Sequence, residues 1–195
     1  MAPARGHAEV VGTQNMEEKE LTLRTGLRLT IREAWRSDAA ALLEYLAVVS
    51  AETDYLTFGP REFTLSVAEE ALYLEQCQQA PNSIYLLAET EGRLIGTLTF
   101  TGGGRVRTRH AGEFGISVRK EYWSQGVASA LLDVLVEWAL EGQIIRKLNL
   151  RVRVDNHRAI RLYERKGYVT EGTIQKELYV NGEYYDLLWM GMVVR

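Results

Sequence analysis

The chain has 195 residues, 46% hydrophobic and 25% charged, a length and balance that fit one core-forming domain and exclude a disordered chain, a collagen-like repeat and a coiled-coil rod. No apolar run approaches the roughly 18–20 residues of a membrane span, and the N-terminus lacks the apolar stretch of a secretory signal. The net charge is −3 and Cys77 is the single cysteine, so the expectation is a cytoplasmic protein that binds neither nucleic acid nor membrane and forms no internal disulfide.

Residues 1–18 are polar without periodicity and read as a flexible tail, leaving 19–195 as a single domain. Leu27, Leu29 and Ile31 alternate with Arg28, Thr30 and Arg32, the period of a strand. Ser37 is the expected cap of a helix reaching about Val49, with Leu42, Leu43, Leu46 and Val49 on one face. The Gly59-Pro60 stretch reads as a loop. Ser66 and Glu69 have capping-box spacing and open a second helix that ends before Pro81. Cys77 lies in it and reads as a packing residue. Strands over 84–89 and 94–100 flank the turn Glu91-Gly92. Gly102-Gly103-Gly104 and the arginines up to Arg109 read as a flexible connection. Then follow a strand over 113–118, a polar loop, a helix over about 126–141, a strand over 147–154 and a helix over about 156–166. Two last strands, about 168–179 and 184–193, meet at Asn181-Gly182, a strong hairpin signal.

The order β-α-α-β-β-β-α-β-α-β-β predicts a mixed α/β (α+β) fold. Its twisted sheet would be mostly antiparallel, with helices on both faces and one right-handed parallel β-α-β crossover, from 113 to 154. Ligands sit beyond the C-terminal ends of such parallel strands.

The loop there joins strand to helix through Val118-Arg119-Lys120-Glu121-Tyr122-Trp123-Ser124-Gln125-Gly126-Val127-Ala128-Ser129. Free N–H groups at a helix start bind anions, and the small residues Ser124, Gly126, Ala128 and Ser129 allow close approach. The segment matches neither the Walker pattern nor G-x-G-x-x-G. Taken alone, Gly126 serves helix packing equally well.

The region resembles the GCN5-related N-acetyltransferase (GNAT) superfamily. That family's acyl-CoA loop, Q/R-x-x-G-x-G/A, corresponds to Trp123-Ser124-Gln125-Gly126-Val127-Ala128, with Trp at the departing first position. Further on, Asn156, Ala159, Tyr163, Gly167 and Tyr168 match all five marked positions of N-x-x-A-x-x-x-Y-x-x-x-G-F/Y. The likeness covers about 27–193 and is strongest over 113–168; Trp123 resembles the ribosomal-protein N-acetyltransferase branch, and the same segment with Val180-Asn181-Gly182-Glu183-Tyr184 is similar to spermidine N-acetyltransferases.

The resemblance implies a GNAT-like fold and an acyltransferase that takes acetyl-CoA as cosubstrate and needs no metal. It also implies that two parallel strands splay apart around the CoA arm. Ile116, Ser117 and Val118 would then pair with that arm, and Trp123, Ser124, Gln125, Gly126, Val127, Ala128 and Ser129 would hold the pyrophosphate. Asn156 would touch CoA or cap its helix, and both roles are compatible. Tyr163 would give a proton to the departing thiolate; read without the motif it is a core aromatic. Glu113 is the candidate base and equally well an exposed strand-end carboxylate. His110 and His157 are alternative bases by ordinary pKa, and neither spacing supports a metal site.

Charge is uneven. Residues 105–166 hold thirteen basic and seven acidic residues, while the remainder is strongly acidic. Arg105, Arg107 and Arg109 read as a solvated hairpin or a contact for the CoA 3′-phosphate, a role Arg158, Arg165 and Lys166 suit as well. Acids such as Glu52, Asp54, Glu69, Glu70 and Glu183 fall where the family binds its acceptor. A cationic primary amine, polyamine or peptide N-terminus, is therefore expected. The alternatives are a non-catalytic acyl-CoA-binding module and an enzyme acting on an antibiotic or amino acid. A homodimer is common in the family.

Overall fold

The computed structural model describes residues 16–195. The expected tail therefore falls mostly outside the described residues, although Met16 packs against the core. An unexpected strand β1 (Lys19–Thr22) pairs antiparallel with β2 (Arg28–Glu33). The turn between them closes where Gly26 N–H donates to Leu23 O at 2.8 Å.

Helix α1 (Ala39–Glu52) starts two residues after the expected cap Ser37. A short 3₁₀ turn, Arg36–Asp38, precedes it, and the Asp38 carboxylate accepts from Trp35 N–H at 2.7 Å. Asp38 takes the N-cap position of α1 without a side-chain cap bond to it, and the helix runs on to Glu52. Helix α2 (Val67–Gln79) opens on the expected capping box: Ser66 Oγ accepts from Glu69 N–H, and the Glu69 carboxylate accepts from Ser66 N–H at 2.8 Å.

Strands β3 (Ser83–Thr90) and β4 (Arg93–Gly102) turn at Glu91 and Gly92, both at positive φ as a tight hairpin demands. The connection to β5 (Ala111–Val118) is an ordered turn. Arg109 N–H donates to Arg105 O at 2.8 Å, and Asn82 Nδ2 donates to Gly103 O at 3.1 Å. Helix α3 (Val127–Gly142), β6 (Lys147–Arg153), α4 (His157–Arg165) and the hairpin β7 (Val169–Val180) and β8 (Glu183–Val193) complete the chain.

The eight strands form one sheet in the order β1-β2-β3-β4-β5-β6-β8-β7, and only β5 and β6 run parallel. Alternation along β3 sends Ile84, Leu86 and Ala88 to one face and Tyr85 and Leu87 to the other. The first face packs on α3 and α4 through Leu131, Leu135 and Tyr163, and the second packs on α1 and α2 through Leu42, Tyr45 and Leu74. Each fully buried leucine stabilises this arrangement by about 1.5–3 kcal/mol. Among the described residues no helix is long and apolar enough to cross a membrane.

Candidate active site

The parallel pairing of β5 with β6 is short. It joins Ala111 to Lys147, Gly112 to Leu148 and Glu113 to Asn149, and then stops. At that point Asn149 Nδ2 donates to Gly112 O at 3.0 Å. On the α3–α4 face Phe114, Tyr163 and Tyr168 stack edge-on with centroids 5.6–6.0 Å apart. On the other face Arg151 Nε donates to Glu113 at 2.6 Å. Beyond these contacts the strands diverge, and a cavity of about 1200 Å³ opens between Gly115–Val118 and Leu150–Val152.

One end of the cavity is the start of α3. Gly126 takes the N-cap position at φ 100°, a left-handed conformation, and no side chain caps the helix. The first-turn N–H groups therefore keep their capacity for an anion. Gln125, Gly126, Val127, Ala128 and Ser129 all line the cavity. Trp123 Nε1 donates to Val118 O at 2.7 Å, and the Arg158 guanidinium lies 3.9 Å from the Trp123 ring centroid. Leu23 of the β1–β2 turn faces Gly126, and Arg24 beside it lines the same space.

The middle carries Tyr163 and Asn156. Tyr163 projects from α4, is 7% exposed and lines the cavity. Burial pushes its hydroxyl well above the usual range, so the phenol stays protonated. Asn156 Oδ1 accepts from Ala159 N–H at 3.2 Å and caps α4 at the cavity wall. On the α1–α2 face the Ser117 hydroxyl bonds Tyr45 Oη at 3.0 Å and Thr97 Oγ1 at 3.1 Å.

The far end is apolar and aromatic. Leu46 and Val49 of α1, Phe58 and Phe63 of the loop after it, and Tyr73 and Tyr85 line it together with Glu70. The loop is clamped from below by Arg153, 8% exposed. Its guanidinium lies 4.5 Å from the Tyr55 ring and 4.0 Å from that of Tyr185, pairs with both oxygens of Asp155, and donates to Asp54 O. Asn181 at the tip of the last hairpin donates to Asp54 Oδ2 at 3.2 Å.

The structure brings Ile116, Ser117, Val118, the run from Trp123 to Ser129, Asn156 and Tyr163 to one cavity. Glu113 stands apart. Its carboxylate pairs with Arg151, which also reaches Glu177 at 3.1 Å, and it is not among the cavity-lining residues. Its place on the strand is as read, but its side chain reaches Arg151, two residues beyond its register partner Asn149 on β6. Arg105, Arg107 and Arg109 are exposed and do not line the cavity either, whereas Arg158, Arg165 and Lys166 do. Cys77 is buried and its thiol is pushed up to about 12, which fits packing. Among the described residues no cluster of His, Cys, Asp and Glu could hold a metal ion.

Sequence reasoning missed Arg24, Tyr73, Tyr85 and the burial of Glu70. The alternation of Leu21 and Leu23 marks the first strand. The spacing of Glu70, Leu74 and Cys77 puts Glu70 on the buried face of α2.

Comparison with known proteins agrees with this geometry. The family model described as Acetyltransferase (GNAT) family matches residues 48–168. The L-amino acid N-acetyltransferase AaaT of Escherichia coli is 34% identical over 122 residues, 63% of this chain and 75% of that one. Spermidine N(1)-acetyltransferase of Vibrio cholerae is 25% identical over 161 residues, 82% of this chain and 90% of the relative. The crystal structure of a GNAT-family acetyltransferase from Streptococcus pneumoniae superposes with a TM-score of 0.83 at 35% identity, covering 86% of this chain and 99% of that one. The chain belongs to the GNAT family of acyltransferases, which take acetyl-CoA as acyl donor.

Proposed function

We propose that the protein transfers the acetyl group of acetyl-CoA to a cationic primary amine held beside it in the same cavity, by direct attack in a ternary complex, with Tyr163 as the proton donor. The observation that carries this reading is the end of β5–β6 pairing at Glu113 and Asn149, which opens a slot leading to the uncapped start of α3. A slot walled by strand backbone suits the amide-bearing arm of CoA, which adds to it as an extra strand does. Ile116, Ser117 and Val118 provide that wall. The amides from Gln125 to Ser129 suit the pyrophosphate, and Arg158 adds charge-assisted contacts.

Acetyl-CoA brings an acyl group already activated as a thioester. The amine nitrogen forms its bond to the acyl carbon as the carbon–sulfur bond breaks. The cationic nitrogen gives up two protons in all, one to solvent before it attacks and one that restores the Tyr163 hydroxyl once that hydroxyl has protonated the departing sulfur. Burial keeps that hydroxyl in the protonated form a general acid requires. Glu113 is not carried into this scheme as the base, because Arg151 engages its carboxylate away from the cavity lining.

The cationic acceptor fits the aromatic end of the cavity with its carboxylate. The test is free-thiol release from acetyl-CoA over a panel of amines, with Tyr163→Phe as the variant. Phenylalanine keeps the ring stack with Phe114 and Tyr168 and removes only the hydroxyl. Turnover falling by about 10²–10⁴-fold, with acetyl-CoA binding retained, is expected. Undiminished turnover in the variant refutes Tyr163 as the acid. Acetyl-CoA binding without turnover on any amine refutes catalysis and leaves a binding module.

A further inference from the structure

Glu70 is 2% exposed, yet no side-chain hydrogen bond or ion pair among the described residues engages its carboxyl group. Burial alone raises its pKa, with nothing opposing it. A buried carboxyl group without a partner is costly, and proteins rarely retain one without use. This one lines the aromatic end of the cavity, beside Tyr85, whose ring meets Tyr73 edge-on at 6.3 Å. Burial drives the Tyr85 hydroxyl well above its usual range, and the Glu70 charge adds to that shift.

A second polar group there also lacks a partner. Thr99 Oγ1 is buried without a hydrogen bond and lines the same cavity. Thr99 is the register partner of Tyr85 on one side and of Gly115 on the other. Gly115 has no side chain to cover this row, and a Cβ built there would meet only Thr99 Cγ2, at 3.8 Å. The floor is therefore open above this hydroxyl, in the row that also carries Tyr85.

The cations of the cavity lie elsewhere. Arg24, Arg158 and Arg165 line it without a carboxylate partner among the described residues, and Leu23 and Trp123 tie the first two to the α3 end. Lys19 pairs with Glu137, Lys166 with Asp133, and Arg151 with both Glu113 and Glu177. The cavity is thus polarised, with unpaired cations at the helix start and one unpaired carboxylate at the aromatic end. Nothing unpaired at that aromatic end would receive an anionic group on the acceptor, and a single carboxylate serves a single ammonium.

We propose that Glu70 binds the acceptor's ammonium group and passes to solvent the proton that this nitrogen must lose before it attacks, and that the acceptor is a monocationic primary amine with an apolar body and no carboxylate of its own. This rests on the transferase reading above and names its acceptor class. A free amino acid would bury its carboxylate among Phe58, Phe63 and Tyr73 without a counter-charge, and a polyamine would bury cations without enough carboxylates.

The test is calorimetric titration of the CoA-saturated protein with 2-phenylethylamine, phenylalanine and spermidine, in the parent, Glu70→Gln and Glu70→Asp. Gln is isosteric and removes the uncompensated charge, so folding is preserved. The parent binds 2-phenylethylamine, Glu70→Gln binds it about ten- to hundredfold more weakly, and Glu70→Asp recovers part of the loss. Phenylalanine and spermidine bind the parent at least about tenfold more weakly than 2-phenylethylamine. Equal binding by parent and Glu70→Gln, no binding of 2-phenylethylamine by the parent, or a preference for either of the other ligands overturns the proposal. Thiol release measured in parallel separates the two readings. Turnover that ignores Glu70 sinks this inference alone, whereas Glu70-dependent binding without turnover on any amine sinks the transferase reading.

Discussion

Replacing Gly126 by alanine isolates the contribution of one backbone conformation to the anion-binding end of the cavity. Gly126 has φ 100° and ψ −5° at the N-cap of α3. An added Cβ would lie 3.7 Å from Leu23 Cδ1, an ordinary contact, so crowding contributes little. The cost is conformational: a side chain in the left-handed region is disfavoured by about 1–2 kcal/mol. In a domain of this size that lowers the melting temperature by about 2–8 °C. The loop has two ways to respond. If the turn holds its geometry, stability falls and acetyl-CoA still raises the melting temperature as in the parent. If the turn relaxes, the N–H groups swing out of line and the acetyl-CoA-induced rise shrinks as well. Thermal melts with and without acetyl-CoA distinguish the two. Gly126→Asn is the control, because asparagine tolerates the left-handed region and recovers part of the loss. An unchanged melting temperature in Gly126→Ala, or a greater loss in Gly126→Asn, refutes the conformational argument.

Glu70 and Arg153 give two more expectations. Burial raises the Glu70 pKa above the usual carboxylate range, so the native state holds the proton to higher pH than the unfolded chain. Stability is therefore lost as pH rises through the folded pKa, and Glu70→Gln melts above the parent at neutral pH, with the gap closing below about pH 4. A gap that does not change with pH in the ligand-free protein contradicts this. Arg153→Lys gives up two ring contacts and the paired hydrogen bonds to Asp155. It is expected to cost about 2 kcal/mol and to raise the acceptor KM more than the acetyl-CoA KM. Equal changes in both constants would show that the clamp does not act on the acceptor end.

Much of the frame is legible in the sequence because it rests on local rules. Ser66 and Glu69 cap α2, Asn181-Gly182 and Glu91-Gly92 turn their hairpins, and the two motifs fall on one cavity. The end of the β5–β6 pairing is not legible. Residues 113–118 read as strand throughout, and they are strand; what changes after Glu113 is the partner, and a partner is not encoded in a strand's own alternation. Glu69 and Glu70 look alike as first-turn acids of a helix. One is an exposed cap and the other a buried carboxyl, and only the 3.6-residue phase of α2 separates them. Glu113 was legible as a strand residue but not as a partner of Arg151, which is 38 positions away and on another strand.

The sheet also divides in a way that bears on how the chain is joined. Strands β1 to β5 lie on one side of the split, and β6, β8 and β7 on the other. The chain passes from the first group to the second once, through α3, and never returns. The two leaves are thus continuous stretches of sequence hung on a single helical spine, touching edge to edge over three residue pairs. Helix α3 itself packs on the first leaf, against β2 to β5, and on this face the split is bridged by rings, Phe114 of the first leaf meeting Tyr163 and Tyr168 of the second. Aperture and leaf are separable properties in such a design, so a change in the bulk of these rings can alter the opening while each leaf keeps its own register.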